Sequence, residues 1–266
     1  MQGAKSIFIR LIQNDAAFKQ VSSPSPDSPE PEKVRQLFDR LAYRYDFFNR
    51  CASLGLDRRW RRSLITAIRK NAPRPARILD LGTGTGDLVL DLARAGTEGS
   101  CIGLDLSGPM LDEAKRKLGA MGTGNLRSGF VQGSAAVIPL DSECLDAAMS
   151  AFVLRNVKKL LPQVLSEIER VLRPGGSVFF LEMYAPSGAV LSALHKVYLQ
   201  MILPAIGKAV FGGRWSGGYL AETILGFGTP DQFSELLRIA GFEEVECSDL
   251  YGGIAAVHRA RKPLKS

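Results

Sequence analysis

The stretch ARILDLGTGTGDLVLDLA, residues 76–93, decides the fold. It opens with a strand-like apolar run, passes through a glycine-rich turn and closes as a helix. Gly82, Gly84 and Gly86 permit tight backbone angles and the close approach of a ligand. Any short strand-to-helix connection can use glycines in this way, so the carboxylates around the turn carry more information. Asp80 precedes it, Asp87 follows it, and Asp105 ends the next apolar run about 20 residues on, where an acid can accept both hydroxyls of a ribose.

Outward from this unit the same alternation repeats. The apolar runs RILDLG, CIGLDLS, GFVQG, LDAAMSAFV and SVFFLEM end in polar or glycine residues, and helical stretches follow at Leu88 to Ala95, Met110 to Gly119 and Leu160 to Leu172. Strands alternating with helices predict a parallel sheet with crossover helices. RVLRPGG reads as a helix end and a turn before the next strand. GFEEVECSDL and GGIAAVHRARK read as two consecutive strands that add an antiparallel edge. Upstream, Val34, Leu37, Phe38 and Leu41 repeat at helical spacing from Glu32. A second helix starts near Asp57, read as its N-cap, with Trp60, Leu64, Ile65 and Ile68 on one side. VSSPSPDSPEPEK, residues 21–33, has no periodicity that could bury a face. The expected layout is a disordered extension over 1–31, a folded domain over 32–262 and a tail over 263–266. Within the domain, helices fill 32–75 and a helical insertion or lid fills 186–230.

The 266 residues, 45% hydrophobic and 23% charged, suit a soluble globular chain able to bury a full core. Four scattered cysteines and no CxxC pair argue against a disulfide framework or a zinc site. His195 and His258 are the only histidines, too few for a histidine-rich metal centre. The charge of +7 is uneven: residues 33–74 hold 12 Lys/Arg against 3 Asp/Glu, a local +9. Such a stretch is either a solvated helical face or a surface for anionic partners, nucleic acid or phospholipid headgroups. The N-terminal MQGAKSIFIRLIQ lacks the apolar core and cleavage site of a secretory signal, and the acidic residues from Asp15 onward are out of character for an organellar one. AVLSALHKVYLQMILPAIGKAVF, residues 189–211, is apolar but interrupted by His195, Lys196, Pro204 and Lys208, which argues against a membrane span. It reads equally as a packed helix or as a lid over an apolar pocket.

Two cofactors suit a ribose-binding acid: a nicotinamide dinucleotide and S-adenosylmethionine. A pyrophosphate close to Asp80 and Asp87 would be repelled by roughly 4 kcal/mol per close pair at a surface-like dielectric. The sulfonium and ammonium of S-adenosylmethionine would be attracted instead. The spacing Gly-x-Gly-x-Gly, rather than GxGxxG, points the same way.

FDRLAYRYDFFNRCASLGLDRRWRR (Phe38 to Arg62), DLGTGTGD, FVLRNV (Phe152 to Val157), RVLRPGG, GGYLAETILGF and GGIAAVHRARK together resemble signatures of the ubiquinone/menaquinone biosynthesis C-methyltransferases. The resemblance runs from about Val34 to Lys262. It implies an α/β class I methyltransferase fold, a seven-stranded, mostly parallel sheet flanked by helices. It also implies S-adenosylmethionine as methyl donor with no metal, and a polyprenylated quinol as substrate. The cofactor residues are then Asp80, Gly82, Gly84, Thr85, Gly86 and Asp105, with Ser134 and Ala135 near the adenine. The chain departs from the family pattern at Ser134, Val153 and Ala151.

For this reaction the nucleophile is a ring carbon activated by ionising a neighbouring hydroxyl. With a phenol pKa of about 10, stabilising the phenolate could lower the barrier by up to roughly 4 kcal/mol. Arg155, always charged, is the candidate for that role. Asn156 would orient the hydroxyl, and Tyr45 would close the other side. His258 is a candidate proton acceptor, with a histidine satisfied inside an edge strand as the equal alternative. The tail would follow residues 189–211, and the basic helices would hold a cytoplasmic protein at an anionic inner-membrane face. A homodimer and the absence of a nucleic-acid partner are further expectations. The competing reading is an RNA or small-molecule methyltransferase of the same fold.

Overall fold

The computed structural model describes residues 29–121, 124–212 and 218–264. The expected disordered extension therefore lies outside the described residues up to position 28. Helix α1 (Pro29–Leu41) begins three residues before the helical spacing starts. A 3₁₀ turn (Ala42–Arg44) leads into α2 (Tyr45–Ala52), and α3 (Asp57–Asn71) follows a short turn. Asp57 is not the N-cap: Leu56 holds that place without a side-chain bond, and the Asp57 carboxylate accepts from Ser53 and Arg61 instead. A buried carboxylate facing an arginine gains more from the charged pair than from capping a helix end.

The alternating region forms β1 (Ala76–Leu81), α4 (Asp87–Arg94), β2 (Gly99–Asp105), α5 (Gly108–Met121), β3 (Leu126–Gln132), β4 (Leu145–Ala151), a 3₁₀ segment (Leu154–Leu160), α6 (Leu161–Val171) and β5 (Leu172–Met183). Helices α7 (Ala189–Val197), α8 (Leu203–Phe211) and α9 (Tyr219–Phe227) fill the interval before α10 (Pro230–Ile239). A π turn, Tyr198–Ile202, joins α7 to α8. The chain ends in β6 (Glu243–Leu250) and β7 (Ala255–Arg261). One seven-stranded sheet results, in the order β3-β2-β1-β4-β5-β7-β6. Only β7 runs against its neighbours β5 and β6, which gives the expected antiparallel edge. The RVLRPGG turn is absorbed into β5 through an irregular register with β4, between Leu145 and Ala147.

Strand side chains alternate between two cores, as the period of two requires. Leu79, Leu81, Leu104, Ala148, Val178 and Phe180 face α6 and α10; Ile78, Cys101, Ala147, Met149, Phe179 and Leu181 face α3 and α4. A third, smaller cluster joins Leu41 and Phe48 to Leu199, Leu203, Phe211 and Ile224. This cluster fastens the N-terminal helices to the α7–α8 segment, above the carboxyl ends of the parallel strands.

The 189–211 segment packs into the domain, although its length alone would allow a membrane span. Ala189–Phe211 is one helical run long and apolar enough, by length and composition alone, to cross a membrane, and 17% of its apolar 18-residue window is buried. Crossing would strip Leu199, Leu203, Val210 and Phe211 from the third core cluster and carry Lys196 and Lys208 into hydrocarbon. Its buried stripe makes it part of the domain.

Candidate active site

The carboxyl ends of β1, β2 and β4 open onto a cavity of about 1030 Å³, the position where open α/β sheets bind ligands. Gly84 lines it with φ +54°, and a Cβ built there would meet nothing within 4 Å. Gly82, at φ +68°, is closed: its Cβ would lie 2.5 Å from both methyl carbons of Val153. The residue that departs from the family pattern thus packs on the turn itself.

Asp80 is buried, and its Oδ2 accepts the Thr83 hydroxyl at 2.6 Å while Oδ1 has no partner. Burial raises its pKa from 3.8 to about 7. An unpartnered carboxylate oxygen in the cavity wall suits a cationic ligand. Asp105 accepts backbone N–H groups from Gly84 at 2.8 Å and from Ser107 at 2.9 Å. Burial raises its pKa as well, and those two donors only partly offset the effect. Ser134 and Ala135 line the same cavity, and the Ser134 hydroxyl accepts the Ala136 N–H at 3.2 Å.

Asp87 does something other than its expected part. Burial opposes its ionisation, but Arg61 at 3.1 Å and Lys117 at 2.5 Å outweigh that and hold its pKa below the ordinary value. Its charge is therefore compensated, and repulsion of a pyrophosphate falls to Asp80 and Asp105. Thr85 donates its hydroxyl to Asp46 at 2.5 Å, and Lys117 reaches Asp46 at 2.7 Å. On the opposite rim Ser107 donates to Asp39 at 2.5 Å. Two carboxylates from α1 and α2 thus latch the N-terminal helices over the cavity.

Arg155, Asn156 and Tyr45 come together where this cavity meets a second one of about 70 Å³, walled by Leu41, Phe48, Trp60, Leu199 and Leu203. Arg155 Nη1 pairs with Glu182 at 2.9 Å, with both side chains buried. Glu182 also accepts the Leu154 N–H at 2.6 Å. Burial raises its pKa, and Arg155 only partly offsets this. Asn156 accepts the Tyr219 hydroxyl at 3.2 Å. Burial likewise raises the pKa of the Tyr45 phenol, so it keeps its hydrogen and can serve as a hydrogen-bond donor. Arg155 Nε and Trp60 Nε1 are buried donors without a partner.

His258 lies elsewhere. It sits on β7, fully buried, with Nε2 3.0 Å from the Pro230 carbonyl and its ring edge-on to Phe233. It lines neither cavity, and burial lowers its pKa. The structure corrects the proton-acceptor reading: His258 is a core histidine on a strand paired on both sides, β7 between β5 and β6, with Nε2 on the Pro230 carbonyl and Nδ1 buried without a partner.

Several residues of the site were not singled out from sequence. Glu182 had a usable signal, a carboxylate at the carboxyl end of the apolar run SVFFLEM. Asp39 and Asp46 stood in the signature stretch from Phe38 to Arg62, but their partners, 68 and 39 positions away, and Lys117 had no signal.

Residues 27–262 match the ubiE/COQ5 methyltransferase family. The ubiquinone/menaquinone biosynthesis C-methyltransferase UbiE of Syntrophotalea carbinolica is 40% identical over 236 residues, covering 88% of this chain and 95% of the relative. The demethylmenaquinone methyltransferase of Deinococcus radiodurans is 36% identical over 211 residues, covering 79% and 85%. Among solved structures, a SAM-dependent methyltransferase from Methanosarcina mazei superposes with a TM-score of 0.56 at 20% identity, over 75% of this chain and 98% of its own. The [4+2]-cyclase SpnF reaches 0.62 at 19% identity, over 87% and 96%. A cyclase on this fold shows that fold alone does not assign the reaction. With the family match over nearly the whole described chain and a cavity whose free carboxylate suits a cationic donor, the chain belongs to the ubiE/COQ5 methyltransferase family.

Proposed function

We propose that the protein C-methylates the ring of a polyprenylated quinol, such as demethylmenaquinol or the benzoquinol precursor of ubiquinone, with S-adenosylmethionine as donor. The observation that carries this reading is the pair of joined cavities. The larger has carboxylates for a cationic nucleoside, and the smaller is mostly apolar, with Asn49, Asp57, Arg61 and Arg155 also in its lining. The donor supplies a methyl group already activated on a sulfonium, so the residues need only place and activate the ring carbon. Asp80 and Asp105 would hold the ammonium and the ribose.

At the junction, the unpartnered Nε of Arg155 and the Tyr45 hydroxyl would donate to quinol oxygens, with the Trp60 indole N–H a further unpartnered donor on a residue of the smaller cavity's wall. Hydrogen bonds from such donors favour the phenolate over the phenol. As the phenolate pushes electron density to the adjacent carbon, the carbon–methyl bond forms, the sulfur–methyl bond breaks, and the ring proton leaves to solvent. The aliphatic wall of the smaller cavity would receive the start of the tail. The protein is read as acting at an anionic membrane surface, supported by the exposed arginines Arg58, Arg59 and Arg62 on α3.

Kinetics at saturating donor with a short-tailed demethylated quinol test the site. Arg155→Ala should lower kcat by about 100-fold or more with KM nearly unchanged, and Arg155→Lys should lower it less. A raised KM with kcat intact would make Arg155 a binding residue and move the chemical role to Tyr45.

A further inference from the structure

The α7–α8 run has two apolar faces, and only one is used within the fold. Tyr198, Leu199 and Leu203 wall the smaller cavity. On the other side Val190, Leu194, Val197 and Met201 are 77, 64, 50 and 69% exposed. Their spacing of three to four residues makes a continuous stripe along the helix. Monomeric soluble proteins rarely leave an apolar stripe of this extent in water.

The neighbourhood extends the stripe and gives it a charge. Tyr198 donates its hydroxyl to the Ala52 carbonyl at 2.6 Å, which docks the α2–α3 turn against the π turn. At the tip of that turn Leu54 is 76% exposed, held at φ +51°, a conformation that branched aliphatic residues rarely adopt. Exposed Arg58 and Arg59 follow within the first turn of α3, and exposed Lys196 and Lys208 lie on α7 and α8 themselves. Apolar side chains rimmed by Lys and Arg match an acyl layer beneath anionic headgroups. A second copy of the chain would bring the same cations face to face.

We infer that this outer face, Val190, Leu194, Val197 and Met201 with Leu54 at its edge, beds in the plane of an anionic lipid bilayer, so that the smaller cavity loads its polyprenyl substrate sideways from the acyl layer. The loading half of the inference rests on the quinol reading; the bedding half does not. The same helices then serve as cavity wall on one side and membrane anchor on the other. A tail too insoluble to cross water need never leave the bilayer.

The test uses the full chain and vesicles of phosphatidylcholine with phosphatidylglycerol, without substrate. Leu194→Glu/Met201→Glu changes two exposed side chains that line neither cavity. It should cut vesicle partitioning by ~10-fold or more while turnover of a short-tailed, water-soluble quinol stays at the wild-type level. Turnover of a long-tailed quinol embedded in the vesicles should fall in step with partitioning. In a second variant, Leu194→Trp, the added tryptophan fluorescence should shift to the blue on mixing with vesicles and be quenched by brominated acyl chains. Undiminished vesicle binding by the double variant, or an unshifted tryptophan, would overturn the inference. So would sedimentation showing the wild type as a dimer and the double variant as a monomer without lipid. Because partitioning is read without substrate, failure of the quinol reading would leave that result standing.

Discussion

Asp80 ties donor binding to proton release. In the free protein its carboxyl titrates at about 7, because burial disfavours the charge. A cationic donor beside Oδ1 stabilises the ionised form and lowers that pKa. Donor affinity should therefore rise with pH up to about 7, where Asp80 is ionised in the free state, and fall again above about 8 as the donor's own ammonium loses its proton. Calorimetry in buffers of different ionisation enthalpy should show close to one proton released per donor bound near pH 6, and proton uptake instead near pH 9, where the free donor's amine is mostly neutral. In Asp80→Asn the rise with pH should vanish along with much of the affinity. A second residue-scale prediction concerns Arg155 and Glu182. Removing Glu182 leaves a buried guanidinium that cannot shed its charge, whereas removing Arg155 leaves a carboxyl that can take up a proton. Glu182→Ala should cost about 3–5 kcal/mol of stability by urea unfolding, and Arg155→Ala clearly less. The Arg155→Ala protein should lose stability as pH rises, since a carboxyl whose folded-state pKa is raised above its unfolded value favours folding only while protonated.

Among the elements, α1 and α2 are fastened to α8 by the third core cluster and to the cavity rim by two polar latches. Asp39 reaches Ser107, and Asp46 reaches Thr85 and Lys117. Breaking the second latch should open the site without unfolding the sheet. Asp46→Ala should weaken binding of the demethylated donor product by about fivefold, roughly 1 kcal/mol, with little change in Tm. Stopped-flow should place most of the loss in the dissociation rate. Equal loss in association alone would speak against a latch. The strands and the helices between them were legible because each alternates or repeats over a full element, as in RILDLG or Trp60, Leu64 and Ile68. The start of α3 was less so: an aspartate in front of an apolar repeat reads as a cap, and only the fold brings Arg61 and Ser53 to the Asp57 carboxylate. RVLRPGG read as a free turn because its pairing partner Leu145 is remote in sequence.

For the whole molecule, the cofactor side of the site was readable because one strand–turn–helix unit and the next strand's end supply most of it. Asp80, Gly82, Gly84, Thr85 and Asp105 line the cavity, whereas Gly86, expected with them, does not and packs against Ala114 and Phe130 instead. The substrate side was only partly readable, because it is assembled from α1, α2, α3, α7–α9 and the segment after β4. A donor such as Trp60 shows its importance only when its N–H is found buried and unpartnered. His258 illustrates the converse: its chemistry fitted a base, but the register opposite Phe180 and Cys247 places it within the sheet. The basic N-terminal stretch was equally compatible with nucleic acid. The joined, mostly apolar cavity and the apolar outer face of α7–α8 favour a lipid-borne substrate. The most direct measurement is methyl transfer itself. The purified protein, given donor labelled with CD3 and a demethylated polyprenyl quinol in anionic vesicles, should yield product carrying CD3 on a ring carbon by mass spectrometry and NMR. Label on a ring oxygen, label in RNA supplied as competitor, or no transfer would contradict the account.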